Sequence, residues 1–353
     1  MERNYPKILV TDKAARSLRS GHPWVYADEV LQADAACANG QIVDVTTRSG
    51  HWLGAGFYNS ASKIRVRVLS RNANDRFDEA FWTRRIQYAV DYRRTVMGQD
   101  FDNCRLIFGE SDGFPGLTVD RFGPILVAQV LSLGMELRKM QLFVLLLQAL
   151  RAGGEQIDAI YERNDVKLRQ KEGMEQGTGF VPLDGLQTDL DGHVTIRENG
   201  ILYDVDYIHG QKTGFFLDQK YNRRAAAQLA PGKRVLDCFT HTGAFGLNCA
   251  AAGHPSSRWM CRRMRSRPRG TMRSSMVCRI VWSTSALMCL ICSQSWRSKN
   301  VGYMTISSSI RRRSPRAARP WRMPSAATRR STSKPCASCR AAAILPLARA
   351  HTS

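Results

Sequence analysis

Apolar positions in the first seventy-odd residues come in short runs. VYADEVL, GQIVDVTT, WLGAGFY and KIRVRVLS either alternate apolar with polar residues or cluster β-branched ones, with glycines between them. This period of two predicts short strands and turns, a small β-rich domain over residues 1–75. From 76 to 98 the spacing changes: Phe77, Phe81, Ile86 and Val90 recur at helical intervals. LIFGESDGFPGLTVDRFGPILVAQVL then predicts two strands around a Gly/Pro turn, followed by a helix over about 135–151. DAIYERND and GILYDVDYI predict further strands. From about 221, YNRRAAAQLA predicts a helix, RVLDCF a strand, and AFGLNCAAAG a second helix after a glycine turn, the opening of an α/β unit. Past Gly253 the periodicity fails and the strand–helix alternation does not continue.

Charge breaks at the same place. The chain has 353 residues with 52 basic and 30 acidic side chains, a net charge of +22. Taken whole, this balance suggests a nucleic-acid binder. After Gly253, however, there is no Asp or Glu and there are 21 Lys and Arg, whereas the residues before hold 31 basic and 30 acidic side chains. Cysteines divide likewise. Cys37, Cys104, Cys238 and Cys249 are scattered through the first part, and the tail holds the pairs Cys289/Cys292 and Cys336/Cys339, a spacing seen in zinc sites. The N-terminal stretch lacks the apolar core of a signal peptide, and the run Leu142–Leu147 is too short to span a bilayer. The expectation is a cytoplasmic protein that does not enter a membrane.

Two stretches carry chemistry. In VLDCFTHTGAFGLNCAAAG a strand ends in Asp237 and a turn containing Gly243 opens a helix. Ligands of open α/β sheets sit at such strand ends, where glycine admits close backbone approach and helix N–H groups point at the ligand. On the residues alone it is also an ordinary strand–turn–helix packing unit. Upstream, GQKTGFFLDQKYNRR places Lys212 and Arg223 near Phe215 and Phe216, with Asp218 and Gln219 as polar anchors. The plain alternative is a helix start capped by Thr213 or Asp218.

The pattern from Asp237 through Phe239 and Gly243 to Phe245 resembles the first motif of class I S-adenosylmethionine-dependent methyltransferases. GQKTGFFLDQ resembles a signature of the large-subunit ribosomal RNA cytosine-C5 methyltransferase family. SLRSGHPWVYADEV resembles the start of that family's PUA-type RNA-binding domain, and RLIFGESDGFPGLTVDRFG with IYERNDVKLRQKEG resembles its middle domain. The resemblance covers about 1–253. It implies that Asp237, Phe239, Thr240, Gly243 and Phe245 line the first wall of an S-adenosylmethionine site, with Lys212, Thr213, Phe215 and Gln219 in the preceding cofactor and active-site segment. It turns Arg16, Arg19, His22 and Trp24, otherwise a solvated turn and a core tryptophan, toward ribosomal RNA through phosphate and stacking contacts.

That family needs an acid after its second strand, a D-P-P-like loop after its fourth, and a cysteine whose thiolate attacks C6 of cytosine. The written tail contains none of these in place; Cys336 and Cys339 lie near the expected position without the surrounding strand. Back-translated and read from the third base of each codon, Ser256 to Arg262 is compatible with V-A-V-D-V-S. In the same frame Tyr303 to Ser314 admits Y-D-Y-I-I-L-D-P-P-A-F, and Leu345 to Ser353 admits T-T-C-S-C-S-H-F. Three motifs thus appear in family order in one shifted frame; the other frame meets a stop at Met304-Thr305. The reading is a single base gained or lost near His254 or Pro255.

The expected fold is α/β: a PUA-like domain over 1–75, an α+β middle domain over 76–195, the start of a Rossmann-like methyltransferase sheet over 196–254, and an out-of-frame, disordered tail over 255–353. No catalytic residue is retained, no metal is expected, and the literal chain is expected not to transfer methyl groups. The competing classes are an RNA-binding protein without catalysis and a zinc-dependent basic tail domain.

Overall fold

The computed structural model describes residues 4–233, 235–237, 241–253, 260–261 and 304–306, which all belong to one compact unit, Met1–Ser308. The N-terminal domain consists of β1 (Lys7–Val10), α1 (Asp12–Arg19), β2 (Trp24–Tyr26), β3 (Val30–Ala33), β4 (Ile42–Thr46), β5 (Trp52–Tyr58) and β6 (Ile64–Ser70). They form one sheet in the order β2-β6-β5-β4-β1-β3, all neighbours antiparallel except β1 beside β4. Its core is almost entirely small and β-branched: Ile8, Val10, Val25, Val43, Val45, Val66 and Val68, closed by Ala14 and Leu18 of α1. The expectation of strands and turns alone missed α1. Only Ala14, Ala15 and Leu18 of its eight residues are buried, and its start is fixed by the Thr11 hydroxyl accepting from the Ala14 N–H.

The middle domain contains α2 (Glu79–Met97), β7 (Asn103–Phe108), β8 (Leu117–Phe122), β9 (Ile125–Val130), α3 (Leu133–Glu136), α4 (Lys139–Ala152), β10 (Ala159–Arg163), α5 (Leu168–Lys171) and β11 (Thr178–Phe180). The sheet order is β11-β10-β9-β8-β7. The segment read as two strands is three, because Gly123-Pro124 makes a second reversal in which Phe122 pairs with Ile125. The single helix expected over 135–151 is divided into α3 and α4. β9 is buried on both faces. Leu126, Ala128 and Val130 pack with α2 and α4 residues such as Trp82, Ile86, Leu142 and Leu146, whereas Ile125 and Val127 face a second core.

That second core joins the middle sheet to the last described part: β12 (His193–Glu198), β13 (Ile201–Asp206), α6 (Lys220–Gln228), β14 (Val235–Asp237), α7 (Ala244–Gly253), β15 (Met260–Cys261) and β16 (Met304–Ile306). Tyr203, Val205, Tyr207, Phe215, Ala244 and Leu247 pack there against Phe122, Ala159 and Tyr161. β12 and β13 form a hairpin, β15 runs parallel to β13, and β16 runs parallel to β14. Among the described residues no helix is long and apolar enough to cross a membrane. The C-x-x-C pairs, and the tail apart from β15 and β16, lie outside the described residues.

Candidate functional site

The segment from Gly210 to Arg224 is held from several sides, chiefly by residues far from it in sequence. Thr213 does not cap a helix. Its hydroxyl donates to Asp120 Oδ2 at 2.7 Å, and Asp120, fully buried, also binds Arg105 through both oxygens at 2.7 and 3.0 Å. Asp218 caps nothing either; α6 begins after Gln219 without a side-chain cap. Arg163 of β10 donates to the carbonyls of Tyr207 and Gly210 at 3.0 and 2.9 Å. These bonds fasten the segment to the middle sheet and satisfy buried carbonyls.

Glycines make the tight course possible. A Cβ on Gly210 would lie 2.0 Å from the Asp206 carbonyl oxygen and 2.8 Å from the Gly214 Cα. Gly214 has φ +113°, and Lys212 between them sits at φ 56°, the left-handed region that non-glycine residues enter at a cost. Lys212 is exposed, with Nζ 5.0 Å from the Phe216 ring centroid.

Phe215 is buried against Tyr203, and the Arg223 guanidinium lies 4.7 Å from its ring centroid and 5.9 Å from that of Phe245. Arg223 forms a bidentate pair with Glu198, both bonds 2.6 Å, and donates to the Phe216 carbonyl at 2.9 Å. This buried fork ties the 210–224 segment, the β12 end and helix α7 together. Asn248 of α7 adds a second tie: its amide donates to the Tyr203 hydroxyl at 2.8 Å and its oxygen accepts from Asn199 at 2.9 Å. Phe216 meets His241 edge to face at 4.9 Å. Gln219 bonds Asp218 and Asn222 on the surface.

Asp237 is buried at the carboxyl end of β14, and Gly243, at φ +76°, turns the chain into α7. An acid at a strand end and a left-handed glycine before a helix N-terminus fit the first wall of a nucleoside-containing cofactor site. Phe239 and Thr240 lie outside the described residues. The acid expected from a second strand is absent from the written sequence.

The described cysteines do not suit nucleophilic work. Burial pushes the Cys104 thiol up to about 12, and it also raises Cys249 and, with help from Asp34, Cys37. Cys238 and the tail cysteines lie outside the described residues.

On the N-terminal domain, Arg16 and Arg19 are exposed one turn apart on α1. His22, Trp24 and Tyr26 form a cluster with ring centroids 5.7 to 6.3 Å apart. Trp24 is half-buried, not a core residue. Its indole N–H donates 2.9 Å to Glu110 of the middle domain. Glu110 also accepts from Arg67, which bonds Glu172 as well. Sequence reading did not single out Arg67, Glu110 and Glu172; the last two lie within the stretches that resemble the middle domain, but the three are distant in the chain and nothing local pairs them.

Comparison with known proteins follows this division. Residues 8–71 match the model of a PUA-like domain, and residues 182–276 match that of an S-adenosylmethionine-dependent methyltransferase. The chain is 40% identical over 249 residues to the ribosomal RNA large subunit methyltransferase I of Escherichia coli O127:H6, covering 70% of this chain and 60% of that protein. The protein of the same name in Shigella boydii serotype 18 is 40% identical over 248 residues. The chain thus spans about 60% of the length of these curated relatives. In fold it is similar to a Streptococcus mutans protein described as a SAM-dependent methyltransferase, with TM-score 0.55 and 22% identity over 72% of this chain and 62% of that one. A methyltransferase solved with SAH gives a TM-score of 0.56 over the same shares.

Proposed function

We propose that the chain belongs to the S-adenosylmethionine-dependent methyltransferases that carry a PUA-like domain, and that its lineage methylates C5 of a cytosine in ribosomal RNA. The reading rests above all on one arrangement: the 210–224 segment bound through Arg223 and Phe216 to the strand–turn–helix that begins at Val235. S-adenosylmethionine supplies the methyl group. Asp237, Gly243 and Phe245, with Phe239 and Thr240, form the wall that holds it. Lys212, Thr213, Phe215 and Gln219 belong to the neighbouring segment, where Thr213 and Phe215 fix the backbone and Lys212 and Gln219 stand at the surface.

The RNA is gripped by the domain of residues 1–75, with Arg16 and Arg19 on phosphates and His22 and Trp24 beside an unstacked base. Residues 76–195 join it to the methyltransferase part. We place the reaction in the cytoplasm, with its ribosomal substrate.

In C5 methylation a thiolate adds to C6, C5 takes the methyl group, a base removes the C5 proton, and the thiolate leaves. The cysteine and the D-P-P loop for this sequence of events exist only in the shifted frame. The literal chain therefore transfers no methyl group, while a gene restored by one base near codon 254 encodes an active enzyme. Single-turnover incorporation of labelled methyl into ribosomal RNA distinguishes the two. Methyl transfer by the literal polypeptide, or none by the restored one, overturns this reading.

A further inference from the structure

Between the N-terminal and middle domains lies a cavity of about 670 Å³. Its apolar walls include Ile64, Leu131 and Leu168, and its polar end holds Trp24, Arg67 and Glu110. Lys63 and Lys171, both exposed, also line it. None of this belongs to the methyltransferase site. The volume falls in the range of small-ligand sites and suits one nucleotide with water.

The hydrogen bonds at the polar end are unevenly filled. Glu172 is fully engaged: Oε1 accepts from Ser62 at 2.6 Å and Arg67 at 2.8 Å, and Oε2 accepts from Asn59 at 3.3 Å. Glu110 is not. Trp24 and Arg67 both donate to its Oε1, at 2.9 and 3.1 Å, and its Oε2 accepts no hydrogen bond from the described residues. The Glu110 side chain is 26% exposed, that of Arg67 only 9%. Arg67 Nη1 and Nη2 are taken up by Glu110 and Glu172, and its Nε is buried out of reach of the cavity. An ionised carboxylate only accepts and a guanidinium only donates. A ligand that completes this end must present donors to Glu110, between apolar walls that include Ile64, Leu131 and Leu168.

Of the four RNA bases, only guanine places two adjacent donors, N1–H and N2–H, next to an acceptor, O6, on one edge. Adenine offers one donor group next to one acceptor, cytosine one donor group next to two acceptors, and uracil one donor between two acceptors. The lysines add positive charge where a phosphate would lie. We propose that this cavity receives one unstacked guanosine of the bound RNA, its base edge read by Glu110 and its phosphate held by Lys63 and Lys171. The assignment rests on the RNA-binding reading above and specifies which nucleotide feature that binding selects.

The test uses the full chain and RNA hairpins that differ only in a single bulged nucleotide: guanosine, inosine, adenosine, uridine or none. Binding is followed by fluorescence anisotropy at one fixed salt concentration. The guanosine bulge should bind roughly tenfold or more tighter than the hairpin without a bulge, with inosine, which lacks the N2 amine, in between. Leu168→Trp, at a position 41% exposed, should fill the mouth and abolish the bulge-dependent gain without lowering the melting temperature. Glu110→Gln should remove the preference for guanosine over adenosine. Equal affinity for all bulges, or a guanosine preference that survives Leu168→Trp, overturns the guanosine assignment and leaves general RNA binding standing. Absence of binding to every hairpin overturns both.

Discussion

At the scale of single residues, the Arg223–Glu198 pair decides whether the 210–224 segment keeps its place. Both side chains are at most 3% exposed, and Arg223 also stacks on Phe215. Two buried charges are tolerated because each satisfies the other; removing one leaves the second desolvated and unpaired. Glu198→Ala should therefore destabilise the fold by about 3–5 kcal/mol, read as a lowered urea midpoint. Arg223→Met alone, which removes a charge yet keeps apolar bulk against Phe215, leaves Glu198 buried and unpaired and should destabilise the fold as well. The double variant Glu198→Ala/Arg223→Met should be more stable than Glu198→Ala alone; if it is not, the pair is not the cause. The sequence pointed to Arg223 near two aromatics but gave no hint of Glu198, because their pairing needs the β12 end to lie against α6.

At the scale of elements, the 206–216 stretch is a tight reversal whose shape depends on absent side chains. A Cβ on Gly214 would stand 2.9 Å from the Asp206 carbonyl oxygen, and the residue's φ of +113° is foreign to alanine. Gly214→Ala should cost about 1–3 kcal/mol and loosen the Thr213–Asp120 bond, seen as faster amide hydrogen exchange through 210–216. Unchanged exchange and unchanged stability would contradict this account of the turn.

Elements with a clean period were legible in the sequence. α2, α6 and α7 fall where the apolar spacing placed them, and the β-rich N-terminal domain falls where residues alternate. The errors have physical reasons. α1 carries too few apolar residues to display a period, and the β8–β9 reversal is so short that two strands read as one. Thr213 looked like a cap because local chemistry allows it, but an acid 93 positions upstream claims its hydroxyl. The interdomain cavity was illegible for the same reason: Trp24, Arg67, Glu110 and Glu172 meet only after two domains fold together.

At the scale of the whole molecule, the net charge of +22 is carried by the residues after Gly253 rather than by those before it. Residues 1–253, with 31 basic and 30 acidic side chains, are close to neutral. Their ion pairs, such as Arg105–Asp120 and Arg169–Glu136, use both signs inside the fold. The proposed frame shift accounts for a segment without a single acid over 100 residues, because out-of-frame codons are not selected for the mixed signs of a folded surface. Two short strands bear on this. β15 at 260–261 directly follows the position where the shifted frame would read an acid, and β16 at 304–306, parallel to β14, falls within the stretch that this frame reads as leading to D-P-P. Resequencing the gene across codons 245–265 should reveal one base gained or lost relative to the written chain, and the corrected tail should bring the net charge well below +22. If the base sequence stands as written, the proposed cofactor site keeps only its first wall, and methyl transfer should be sought in another gene.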